Sequence, residues 1–192
     1  MLTDALQFLI RTGLDLLACA FFLRFWMQWA RVPVHNPFSQ FLMKVTDFAV
    51  RPLRRAVPGF FGMDWASLLL LLVTKILAVV AIHWLMSYPF AAAGTKVVPG
   101  FLALGLVASL RLGLYVLMGL IVLQAILSWV NPFSPHAPVF YALSRPVLAP
   151  FQRLIPPIGG VDLTPLAALI AIQLLLVAPV ATLERLARAL VW

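Results

Sequence analysis

Four long apolar runs, separated by stretches rich in proline, glycine and charge, set the rhythm of the chain. Residues 6–29 predict a first helix, long enough at about 1.5 Å per residue to cross a hydrocarbon core of roughly 30 Å. Arg11, Asp15 and Arg24 interrupt it. Val32-Pro33 and Asn36-Pro37 then stop it, because proline lacks an N–H and restricts the residue before it. From residue 38 to 50 the period becomes amphipathic. Phe41, Leu42, Val45, Phe48 and Ala49 take one face, Gln40, Lys44, Asp47 and Arg51 the other, and Ser39 is placed to cap the start. A short basic amphipathic helix between two spans is expected in the membrane interface, apolar face down.

Residues 65–86 predict a second span. Asp64 stands at its N-terminus, where a carboxylate accepts free helix N–H groups and complements the dipole. Residues 87–99 form a linker short enough that the two halves are expected to pack together. A third span follows within residues 100–130, its membrane portion near 106–129, and Asn131-Pro132-Phe133-Ser134-Pro135 ends it. Residues 139–148 repeat the interfacial segment with less charge. Asp162 opens a fourth span at 163–183, leaving a short end at 184–192.

The two halves share more than rhythm. Pro52, Arg55, Pro58, Gly62 and Asp64 recur as Pro150, Arg153, Pro156, Gly160 and Asp162 at an offset of 98. At an offset of 100, Arg11, Gly13 and Trp29 recur as Arg111, Gly113 and Trp129; at an offset of 95, Asn36-Pro37-Phe38-Ser39 recurs as Asn131-Pro132-Phe133-Ser134. In the motif the prolines shape the chain, Gly62/Gly160 permits a turn closed to larger residues, and Asp64/Asp162 caps the returning helix. The expected fold is an all-α integral membrane protein, with four transmembrane helices as two parallel tandem repeats, each span, interfacial amphipathic helix, span. Residues 1–192 form one membrane domain, with repeats at 1–90 and 98–184. An even number of spans per repeat orients both alike, about a pseudo-twofold along the membrane normal, so an inverted-repeat transporter is not expected.

Composition sharpens this picture. Hydrophobic residues make up 64% and charged residues 10%, against about 25% charged in ordinary soluble domains; lipid must meet the exterior. The formal charge of +8 is spread between apolar segments, which argues for topology signals and anionic lipid rather than nucleic acid. Asp4, Arg11 and Asp15 make a cleaved signal peptide a poor fit, so the first helix is expected to be retained. Arg31, Lys44, Arg51, Arg54, Arg55, Arg145 and Arg153 lie on the motif side, against Lys96, Arg185 and Arg188 opposite. That bias places the motif side in the cytoplasm and both termini outside, in a multi-pass membrane protein. Cys19 is the sole cysteine, so an internal disulfide is excluded.

The candidate chemistry lies in charges within the spans, which are costly in hydrocarbon unless paired or able to snorkel. Asp15 is about 21 Å up from Trp29 and Lys75 about 16 Å up from Asp64, so the two are expected to pair, with Arg11 sharing the carboxylate. Their repeat equivalents, Tyr115 and Gln173, are expected to hydrogen-bond. A structural clasp and a proton or ion relay are the two readings of this layer. Arg11 and Arg111 are expected to snorkel, Arg24 to anchor at the inner interface, and Trp29 and Trp129 to join an aromatic belt. Arg51, Arg54, Arg55 and Arg153 form a basic rim suited to lipid head groups or an acidic partner. His35, His83 and His136 are too scattered for one metal, and no catalytic or phosphate-binding motif occurs. A His35–His136 bridge remains a minor reading. No enzyme, metal or cofactor is expected.

Ser144, Pro146, Leu148, Pro150, Arg153, Pro156, Gly159, Gly160, Asp162 and Pro165 resemble the YggT repeat of small bacterial integral membrane proteins, related to the YlmG and CCB3 proteins of plastids and cyanobacteria. The first copy departs from it, with Phe48, Phe61 and Ser67 where Pro146, Gly159 and Pro165 stand. The resemblance implies no enzymatic activity. It implies a scaffold or assembly factor linked to osmotic-stress tolerance, ion homeostasis or division and envelope organisation, or else part of an ion or small-solute pathway or of haem and cofactor assembly. The expected partners are anionic lipids, a membrane or cytoplasmic protein, or further copies of the chain.

Overall fold

The computed structural model describes residues 1–59, 62–131, 137–155 and 162–191. Its elements are α1 Leu2–Trp29, α2 Pro37–Ala56, α3 Trp65–Leu85, the short α4 Phe90–Ala93, a 3-10 turn Gly94–Val97, α5 Val98–Val130, α6 Ala137–Leu154, α7 Thr164–Leu175, a π turn Leu176–Val180 and α8 Ala181–Ala189. Among the described residues four helices are long and apolar enough to cross a membrane: Leu2–Trp29, Trp65–Leu85, Val98–Ser128 and Thr164–Ala189. The chain is an all-α, four-span membrane protein.

Several boundaries differ from the sequence expectation. The amphipathic helix α2 runs on to Ala56, straight through Pro52, so Arg54 and Arg55 sit on a helix and not in a turn. Its cap is Asn36, whose Oδ1 accepts from the Ser39 backbone N–H at 2.8 Å, rather than Ser39. α6 likewise carries Pro146 and Pro150 inside it. Proline costs a helix one hydrogen bond and a clash with the preceding turn; here the apolar faces, buried through Leu42 and Val50 in α2 and Leu143 and Leu148 in α6, hold the helices despite it. The linker is also folded. Tyr88 and Val97 are buried, and the Tyr88 hydroxyl donates to Val191 O at 2.6 Å, closing that end of the bundle. The supposed short tail continues the fourth span as α8. Pro132, Phe133, Ser134, Pro135, His136, Pro156, Gly159, Gly160, Phe61 and Trp192 lie outside the described residues, as does the side chain of Trp129.

The two halves pack as one body. Phe21, Phe22, Trp26, Met27 and Ala18 of α1 share a core with Leu42 and Val50 of α2, Leu71 of α3, Leu120 of α5 and Leu143 of α6. The indole Nε1 of Trp26 donates to Leu143 O at 2.8 Å, a buried bond between halves. Phe38 and Phe140 approach to 5.8 Å between α2 and α6. At Gly105 an added Cβ would lie 2.2 Å from Ile76 Cγ1, so α5 and α3 meet backbone-close there, as small residues allow in helix packing within lipid.

Candidate functional site

Polar side chains gather at two levels of the bundle. At the motif end, the returning turn needs Gly62, whose φ is +73°, a conformation unfavourable for residues with a Cβ. Its carbonyl accepts from Gln28 Nε2 at 3.0 Å. This turn delivers Asp64, 2% exposed, to the start of α3. The carboxylate accepts from Ser67 N at 3.3 Å, Ser67 Oγ at 2.7 Å, and Arg54 Nε and Nη2 at 3.2 and 2.5 Å. Burial alone would raise the Asp64 carboxyl, but the hydrogen bonds from Arg54 and Ser67 and the Arg54 charge hold it below the usual carboxylate range. Arg24 completes the cluster. It is buried; its Nη1 donates to Thr46 Oγ1 at 2.7 Å, Asp47 Oδ1 at 2.8 Å and Met43 O at 3.3 Å, and its Nε lies 3.5 Å from Asp64 Oδ2.

This cluster corrects two expectations. Arg24, expected to anchor at the inner interface, is instead buried within the bundle, with Nη1 bonded to α2 and Nε near Asp64 at the start of α3. The basic rim is not a free rim: Arg54 is tied to Asp64, and Arg51 Nη2 pairs with Asp47 Oδ2 at 2.6 Å. Arg55 and Arg153 stay exposed, with no ion pair to any described residue. In the second half the expected cap is not reproduced: the N-cap of α7 is Leu163, and exposed Asp162, one residue earlier, accepts from Thr164 N at 2.9 Å in a tighter local turn, with no ion pair to any described residue.

At the opposite end a cavity of about 700 Å³ opens between α1, α3, α5 and α8. Lys75 Nζ donates to Asp15 Oδ1 at 2.6 Å on its wall, bringing together the first and second spans. Arg11 lines the same cavity but does not share the Asp15 carboxylate; it makes no ion pair or hydrogen bond with any described residue. Arg111 does not snorkel free either. It pairs with Glu184, which also receives Arg188 one turn further along α8. Tyr115 lines the cavity and is 55% exposed. Gln173 is exposed and off its wall, so the expected hydrogen bond between them is absent: their side chains serve different surfaces. His83 Nδ1 lies 2.8 Å from Val79 O, and the ring stands edge-on to Phe101 at 5.1 Å.

Sequence reasoning missed Glu184 and the cavity it helps to line. Glu184 and Arg188 are four apart, the spacing of one helical face, and that signal lay unused because residue 184 was read as the start of a tail. Among the described residues no three His, Cys, Asp or Glu side chains cluster to hold a metal.

The family model described as CCB3/YggT matches residues 3–85 and 103–183. An uncharacterised protein of Vibrio alginolyticus, named for the region 3' of proC, is 38% identical over 174 residues, covering 88% of this chain and 90% of the relative. The uncharacterised protein YggT of Escherichia coli K12 is 35% identical over 165 residues, 85% and 82% of the two chains. An uncharacterised Pseudomonas aeruginosa protein is 34% identical over 176 residues, 91% and 87%. No solved structure matches the chain.

Proposed function

The chain belongs to the CCB3/YggT family of multi-pass inner-membrane proteins, and we propose that it is a non-enzymatic component of a small-solute pathway whose working part is the charged cavity. One observation carries this reading. Ionisable side chains from four helices converge on a space of about 700 Å³, within the range that encloses a small ligand. A structural clasp alone needs the Asp15–Lys75 contact but not the space beside it.

The architecture that goes with this reading is a tandem of span, interfacial helix, span. Support comes from Asp64 and Asp162, each accepting a backbone N–H at the start of a returning span, and from the matched segments 3–85 and 103–183. The halves are not used alike. Gln124 stands where Arg24 does at the offset of 100, and its Oε1 is buried without a hydrogen-bond partner. With the motif side cytoplasmic, the cavity faces outward.

Proteoliposome flux tests the proposal, with rubidium, chloride and phosphate as probes. Ala108→Phe, which places a ring in the cavity wall, is expected to abolish the flux, while Leu102→Phe, on the exposed face of α5, leaves it intact. No flux above protein-free vesicles for any probe overturns the reading. A second reading, a scaffold docking an acidic partner or anionic lipid, is favoured by exposed Arg55 and Arg153. Its test is loss of a co-purifying partner on charge reversal at those two positions. Arg54, being tied to Asp64, is unsuitable for it.

A further inference from the structure

We infer that the cavity binds an anionic amphiphile, a carboxylate or phosphate carried on an apolar body, with Arg11 as the residue that engages the anion. This deepens the solute reading above and rests on the same cavity.

The charge inventory of the wall points to the sign of the ligand. Four cations, Arg11, Lys75, Arg111 and Arg188, face two carboxylates, Asp15 and Glu184. Both carboxylates are committed: Asp15 to Lys75, and Glu184 to Arg111 and Arg188 together. Arg11 is left over, one turn before Asp15 on α1, with no described partner. An excess of positive charge between low-dielectric walls focuses the field on that space. A cation entering it would meet no uncommitted carboxylate. Guanidinium is moreover the group that matches a carboxylate or phosphate with two parallel N–H bonds.

The rest of the wall points to the body of the ligand. Val79, Ile82, Leu104, Val107 and Leu112 line the same space. An inorganic anion would leave these side chains uncovered, whereas an alkyl chain of a few carbons would cover them and gain from every methylene taken out of water. The same chemistry is offered by a lipid head group with its first chain carbons and by a water-borne organic acid or phosphate.

The experiment uses the full chain in a neutral maltoside detergent. Inorganic phosphate and hexyl phosphate are titrated while the thermal unfolding midpoint is followed, since a ligand of the native state raises it. A parallel arm places the protein in nanodiscs of phosphatidylcholine with and without phosphatidylglycerol. Hexyl phosphate is expected to raise the midpoint at concentrations at least tenfold below those inorganic phosphate needs. Arg11→Gln is expected to weaken hexyl phosphate at least tenfold, while Arg55→Gln, which removes one charge at the other end, leaves it unchanged. A midpoint raised by hexyl phosphate only in detergent, and insensitive to phosphatidylglycerol, assigns a water-borne ligand. An Arg11-dependent rise with phosphatidylglycerol assigns a lipid.

Unchanged binding in Arg11→Gln, an equal loss in Arg55→Gln, or no stabilisation in either arm overturns the inference. Flux without such binding sinks this inference alone, and binding without flux sinks only the pathway reading.

Discussion

The two ends of this bundle use charge in opposite ways. At the motif end, Arg24, Asp47, Arg54 and Asp64 close on one another, and Asp64 and Arg24 are buried with several hydrogen bonds each. At the other end, Lys75–Asp15 and the Arg111–Glu184–Arg188 triad stand around open space, with Arg11 uncompensated. Both ends concentrate ionisable groups in a chain that has few. Ion pairs with nothing between them fasten helices; ion pairs that border a void leave capacity for something else. Position in the sequence does not separate the two cases, since Arg24 and Arg11 are carried by the same helix.

The contrast predicts unequal responses to mutation. Asp64→Ala should have the largest effect, a loss of about 3–5 kcal/mol, because it removes a buried carboxylate that pairs with Arg54, accepts from Ser67 and caps α3, and leaves Arg24 with Asp47 as its one remaining carboxylate. Unfolding of the purified protein in mixed detergent measures this, and a loss below that of Asp15→Asn would erase the distinction between the ends. Asp15→Asn should cost only about 1–2 kcal/mol, as expected for one polar contact between membrane helices, because Lys75 keeps access to the cavity.

A third prediction uses acid. The Asp64 carboxyl is held below its unfolded value, so its contribution is complete above the unfolded pKa of about 4 and is lost as the pH falls through the lower folded value. The unfolding midpoint of the native chain should therefore drop more steeply below about pH 4 than that of Asp64→Asn, which has no such group to protonate. Parallel pH profiles would put the sensitivity elsewhere. Next in size is Gly62→Ala, costing about 1 kcal/mol through the left-handed turn. Smallest is Arg55→Gln, within about 0.5 kcal/mol of native; a larger loss would show that this exposed cation also has a fastening role.

Much of the fold was legible because the hydrophobic period is simple. Four long, mostly apolar runs and an amphipathic segment in each half leave little choice of element. Sequence spacing also placed Asp15 and Lys75 at one depth, where they pair. It failed where a tertiary partner decides the outcome. Arg24 read as an anchor because its partners, Thr46, Asp47 and Asp64, come from later elements. Tyr115 and Gln173 occupy the positions of a pair, yet offset arithmetic says nothing of which way a helix is rotated. Helix ends misled for a local reason: the amphipathic helix was expected to end at residue 50, but burial of Val50 and the bonds of Arg54 to Asp64 carry it on through Pro52 despite the missing N–H. The cavity itself had no signature, because a void is a property of the spacing between helices.

The π turn Leu176–Val180, with Pro179 inside it, has a consequence for everything downstream. Such a turn accommodates one residue more than an α-helical turn, and each residue advances the face by about 100°. The last turns of the fourth span are thus swung around relative to its first half, and they carry the Glu184 that pairs with Arg111. Removing one residue from that turn would wind the helix true and point the carboxylate toward lipid, unmaking the outer wall without touching any residue that lines it.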